Sequence, residues 1–152
     1  MSGSYSFHSR ARWTVRRNGV AECDSAAPAI EFSAPPEFQG DAGMWTPEHF
    51  LLAAVSSCFI TTFRAIAELS KFNAEGLEVS VEGFVEKAEN GLRFTRIVLK
   101  PELAIASESD RERAVRLLEK AEHSCLISRS LRSEVRMEPA VRILEAAESA
   151  AA

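Results

Sequence analysis

The stretch from Pro47 to Lys71 constrains the fold more than any other. Phe50, Ala54, Val55, Cys58, Phe59, Thr62, Phe63, Ile66 and Leu69 recur at spacings of three and four, the period of one helix face. Leu51, Leu52, Ala53 and Ile60 carry apolar character nearly all round its first half. Thr46-Pro47-Glu48 supplies an N-cap, a first-turn proline and a carboxylate against the positive end of the helix dipole. A helix of this kind must be covered on several sides. One small sheet is too little cover, so a second copy of the chain is expected, as a two-fold dimer.

The flanking segments read as hairpins. Tyr5 to Arg17 alternates loosely and is followed by Asn18-Gly19, the strongest short hairpin signal. Strands are expected at about 5–17 and 19–25, with a short third around Ala29 to Ser33. Pro35 to Gly43 is rich in proline and glycine and reads as a loop from sheet to helix. After the helix, Leu77 to Lys87 and Arg93 to Ile105 alternate on either side of Glu89-Asn90-Gly91, a second hairpin. Ser107 or Ser109 caps a helix that ends near Cys125, a short turn follows at Ser128 to Leu131, and Val135 to Ile143 reads as a last strand broken at Pro139. The order predicts an α+β fold, mainly antiparallel sheets around a long buried helix, joined by hairpins rather than βαβ crossovers. Residues 1–144 are read as one domain and the Ala-rich 145–152 as a frayed or disordered tail.

Two cysteines concentrate the chemistry. Cys58 lies in the apolar helix and Cys125 in Ala121-Glu122-His123-Ser124-Cys125-Leu126-Ile127-Ser128. Both are read at helical positions. Sulfurs on different helices meet only through the fold, so one could attack a substrate while the other waits to form a disulfide with it. The alternative is two buried apolar residues, since free cysteine is among the most buried residue types.

Other classes fall away. A net charge of −4 gives no global reason to bind nucleic acid. The uninterrupted apolar run Phe50 to Val55 is short against the ~18 residues of a membrane span. The N-terminus lacks the apolar core and cleavage site of a signal peptide, so a cytoplasmic location is expected. The three cysteines and His8, His49 and His123 show no metal-binding pairing, and no metal, flavin or haem is expected. Cys23 is read as structural.

With these motifs in place, the sequence resembles a known family. Thr46-Pro47-Glu48-His49-Phe50-Leu51-Leu52-Ala53-Ala54-Val55-Ser56-Ser57-Cys58-Phe59 is similar to the first-cysteine signature of the OsmC/Ohr proteins, the osmotically inducible and organic hydroperoxide resistance proteins. The Ala121 to Leu131 segment resembles the second-cysteine motif, and Pro35 to Gly40 the loop leading into the first. The resemblance implies an intertwined homodimer of OsmC-like type that reduces organic hydroperoxides. In that scheme Cys58 is the peroxidatic thiol, Cys125 resolves it, and an external dithiol such as a lipoylated protein resets the pair. A non-catalytic stress, binding or redox-sensing protein of the same fold is the alternative.

The same resemblance implies an arginine near the sulfur, held by a glutamate. Arg17-Asn18-Gly19 matches one branch's arginine turn and Glu48 the glutamate. Arg16 competes with Arg17, pointing to the other face if the strand persists. Ten residues of straight helix separate Glu48 from Cys58 by about 15 Å. Glu48 then acts by orienting the arginine, through an interrupted helix, or in the other subunit's site. Phe50, Phe59 and Phe63 are candidates to line an apolar substrate pocket, and His49 and His123 are read as helix-end groups.

Overall fold

The computed structural model describes residues 3–144. Their contacts divide them into two compact units that meet between Leu51 and Leu52 in the sequence; the expected tail at 145–152 lies outside the described residues.

The first unit is a three-stranded antiparallel sheet of β1 (Arg10–Trp13), β2 (Asn18–Cys23) and β3 (Ala26–Ser33) in sequential order. The hairpin falls where Asn18-Gly19 indicated, but the turn does not. Asn18 N–H bonds the Val15 carbonyl at 2.8 Å and Arg16 takes φ 48°, so Arg16 and Arg17 form the tip while Asn18 and Gly19 open β2. Gly19 is required for another reason. A Cβ there would lie 2.5 Å from the Phe32 ring and 2.6 Å from the Arg12 carbonyl, so its value is close packing. β1 is shorter than expected and β3 begins earlier, directly after β2. A single 3-10 turn, Pro36–Phe38, sits in the connecting loop.

α1 (Pro47–Leu69) begins in this unit as its caps require. The Thr46 hydroxyl accepts the His49 amide at 3.1 Å, and His49 Nδ1 accepts the Thr46 amide at 3.1 Å. This is a reciprocal capping box with histidine in the place of the usual glutamate. The helix ends two residues before the expected Lys71. Lys71 turns left-handed (φ 54°), and the Phe72 and Lys71 amides bond the carbonyls of Ala67 and Glu68 at 2.8 and 3.1 Å, a Schellman end.

The second unit is built on one strand. β5 (Gly91–Ile105) pairs antiparallel with β4 (Gly76–Ala88) and parallel with β6 (Glu134–Met137) and β7 (Ala140–Ile143). The parallel pairing corrects the hairpin-only topology. α2 (Arg111–Ser124) and α3 (Leu126–Arg129) carry the chain back along the sheet, which a parallel partner demands. Pro139 does break the last strand. The change from β6 to β7 falls opposite Lys100-Pro101, so Pro101, which lacks an N–H, sits where the parallel ladder is interrupted.

The core is a layer of alternate β5 side chains, Ile97, Leu99, Leu103 and Ile105, beneath Val55, Phe59, Phe63 and Ala67 of α1 and Ala114, Leu118 and Ala121 of α2, all unexposed. By length and composition α1 is apolar enough to cross a membrane, a measure that core helices of soluble proteins also meet. The short uninterrupted run had pointed away from this, because serines and threonines break the run without making the average polar. One stripe of α1 is committed to the core. Much of the remainder is only partly covered, and Leu69 is 87% exposed.

Candidate active site

α1 presents Cys58 one position before core residue Phe59, which sets the cysteine at the margin of the buried stripe, partly exposed. Its sulfur lies 3.9 Å from Thr62 Oγ1, one turn on. The neighbouring hydroxyls of Ser56 and Ser57 donate to the Ala53 carbonyl at 3.1 and 2.7 Å, leaving the sulfur to other partners.

Cys125 is fully buried. It is not helical, as its sequence had suggested. Its backbone is extended (φ −64°, ψ 115°) and joins the end of α2 to the start of α3. This break turns the chain so that the Cys125 thiol faces Cys58 within hydrogen-bonding reach, both sulfurs being unbonded thiols.

The two thiols are unequal. Burial works to raise the Cys58 pKa, but hydrogen bonds from the Ile127 amide, the Cys125 thiol, the Thr62 hydroxyl and the Leu126 amide outweigh it and hold Cys58 below the ordinary thiol value. For Cys125 burial is the main influence and pushes the thiol up. Its contact with Cys58 adds to that, against the opposing pull of the Ser128 hydroxyl and amide. Ionisation therefore favours the more accessible sulfur.

Desolvation of Cys58 had seemed to require a cation. The compensation described here comes instead from neutral donors, chiefly the first amides of α3, which no helix interior would leave free. Sequence reading missed them because it started this turn at Ser128, two residues late.

Arg17 and Glu48 both lie in the first unit and do not form an ion pair among the described residues. Arg17 donates to the Phe38 carbonyl at 3.5 Å and to Gln39 Oε1 at 3.4 Å. Glu48 Oε1 is buried without a partner. Arg16 is not on an opposite strand face, because the strand ends before it. Its guanidinium pairs with Asp41, which also accepts from Asn18 Nδ2 at 2.8 Å. α1 runs unbroken, so the interrupted-helix role for Glu48 is excluded.

Phe59 and Phe63 cannot line a pocket as expected, because both are completely buried in the core. Phe50 stacks on Trp45 (centroids 5.9 Å apart) and meets Phe32 edge-on at 6.0 Å. The histidines serve helix ends: His49 in the α1 cap, and His123 with Nδ1 2.8 Å from the Glu119 carbonyl. Cys23 is not a core thiol, since it is partly exposed, 3.1 Å from Ser25 Oγ and 3.4 Å from the His8 carbonyl. Among the described residues no group of three His, Cys, Asp or Glu side chains is placed to hold a metal ion.

Comparison with known proteins places the chain. The family model for OsmC-like proteins matches residues 40–140, a span that includes both cysteines. The chain belongs to the OsmC family. Among relatives, YmaD of Bacillus subtilis, an uncharacterized protein, is 31% identical over 135 residues, 87% of this chain and 90% of its own. The peroxiredoxin OsmC of Escherichia coli is 25% identical over 101 residues, 66% and 69% of the two chains. An organic hydroperoxide resistance protein of Elizabethkingia anophelis shares the fold, with a TM-score of 0.75 at 23% identity over 95% of this chain and all of that one. The family thus includes proteins named for peroxidase and hydroperoxide resistance roles.

The unequal thiols make a direct prediction. Alkylation of Cys58, followed by peptide mass spectrometry across pH, should show a midpoint below the ordinary thiol value, since only the thiolate reacts. Cys125 should become reactive only at higher pH than Cys58.

Proposed function

We propose that this OsmC-family chain is a thiol-dependent peroxidase that reduces organic hydroperoxides to alcohols. The observation that supports it is the facing pair of free sulfurs, one partly exposed and acidified, the other buried and held protonated. In this reading the Cys58 thiolate attacks the terminal peroxide oxygen. The O–O bond breaks, the alkoxide takes a proton and leaves as alcohol, and Cys58 becomes a sulfenic acid. Cys125 then attacks the Cys58 sulfur, the S–O bond breaks, and hydroxide departs as water with a proton. An external dithiol, such as a lipoylated protein, supplies two electrons to reopen the disulfide.

Arg17 is assigned as the activating cation and Glu48 as the group that orients it. Two observations favour Arg17 over Arg16. Arg16 is committed to Asp41, whereas the Arg17 bonds are long and readily exchanged. Glu48 Oε1, buried without a donor, is an acceptor a guanidinium would satisfy.

The functional unit in this reading is a homodimer. Support comes from apolar surface that one chain leaves open: Leu69 at 87% and Trp13 at 76% exposed, with much of α1 only partly covered. A second copy of the chain would take such side chains out of water.

Cys58→Ser should abolish turnover with an alkyl hydroperoxide and a dithiol reductant, while Cys125→Ser should give one turnover and a trappable sulfenic acid at Cys58. Peroxide treatment that leaves no Cys58 to Cys125 bond in the parent chain, with no turnover, would return the protein to a non-catalytic role. Arg17→Ala should slow peroxide reduction by about tenfold or more and shift Cys58 alkylation to higher pH, because losing a nearby opposite charge moves a pKa by roughly 1 to 3 units. Arg16→Ala should do neither. Sedimentation at micromolar concentration should give twice the chain mass; a stable monomer would remove the dimer from the scheme.

A further inference from the structure

Ser128 is among the few buried polar side chains of the described residues, at 7% exposure, and its Oγ has no hydrogen-bond partner, sulfur included. It stands at the third position of α3, with Cys125 in the N-cap place. Positions three apart in a helical turn share a side, so Ser128 is on the side of the turn that carries Cys125, and its hydroxyl is among the groups that draw the Cys125 pKa down. A neutral thiol accepts hydrogen bonds weakly, and a buried hydroxyl aimed at one stays nearly unsatisfied. A thiolate accepts strongly. The arrangement is therefore complete only when Cys125 carries charge.

Cys125 must carry that charge twice if the dithiol reading of the site holds. It does so as the nucleophile that attacks the Cys58 sulfenic acid, and again as the leaving group when the disulfide is reduced. Because Cys125 is fully buried and Cys58 partly exposed, an incoming dithiol meets the Cys58 sulfur, forms a mixed disulfide there and expels Cys125. A sulfide anion expelled into an apolar core needs a donor already in place.

We propose that Ser128 is the positioning residue for the resolving thiol, its hydroxyl donating to the Cys125 sulfur and holding the charge there both in closure and in reopening of the disulfide. Other titratable groups are turned to different partners. Cys58 faces Cys125 from α1; on α2 the His123 ring lies on the Glu119 carbonyl with Glu122 at 3.5 Å, and on α3 Arg129 is exposed.

The test uses the full chain. With Cys23→Ser and Cys58→Ser, Cys125 is the one remaining cysteine, and its ionisation is followed by thiolate absorbance without any peroxide. Adding Ser128→Ala should move the midpoint up by about one unit, the scale of one hydrogen bond to a charged acceptor. Ser128→Thr should restore it. With all cysteines present, Ser128→Ala should form the Cys58 sulfenic acid at the parent rate and close the disulfide about tenfold more slowly. An unmoved midpoint with normal closure overturns the Ser128 assignment alone. A moved midpoint in a protein whose parent chain never closes the bond overturns the dithiol reading, and Ser128's part in resolution with it.

Discussion

The packing of Val55, Phe59, Phe63 and Ala67 against the inward side chains of β5 governs the rest of the second unit. Residues spaced by four and eight define one line along a helix, and burying that line fixes how α1 is rotated about its axis. Cys58 precedes Phe59 and is therefore turned about 100° from it, to the edge of the covered stripe. There a sulfur is dry enough for hydrogen bonds to matter and open enough to meet a small molecule. A rotation of α1 by one residue would bury Cys58 and expose a phenylalanine. The half-open position of Cys58 is thus a by-product of core packing.

The second sulfur reaches this edge through a defect in helix continuity. Had α2 continued through Cys125, the amides of Leu126 and Ile127 would bond to carbonyls a turn earlier. Because the backbone extends at Cys125 and a new turn starts at Leu126, those amides are released toward Cys58. One conformational break supplies both the partner thiol and the donors that acidify Cys58. No charged group is needed for that part of the effect.

The features legible in the sequence were those with local causes. Helical spacing and the Thr46 cap located α1, Glu89-Asn90-Gly91 located the β4–β5 hairpin, and the two cysteine segments pointed to each other through their family likeness. What escaped depends on distant partners. The parallel pairing of β6 and β7 is decided by where β5 lies, not by anything in Glu134 to Ile143. Phe59 and Phe63 carry the composition of a pocket lining and of a core equally well, and only contact with β5 separates the two. The turn at Arg16 and Arg17 was displaced because Gly19, a strong turn signal in isolation, is needed under the Phe32 ring.

The crossover from β5 to β6 has one more consequence, for the topology of the chain. Between Cys58 and Cys125 lie the C-terminal part of α1, the whole β4–β5 hairpin and all of α2. A bond between the two sulfurs would tie this segment into a closed ring holding the centre of the sheet, α2 and the C-terminal part of α1. Rings of that length remove unfolded-state freedom worth about 4 kcal/mol in the chain-entropy account. The redox state of two atoms would then set how much freedom the unfolded chain has, a ringed polymer in one state and an open one of the same sequence in the other.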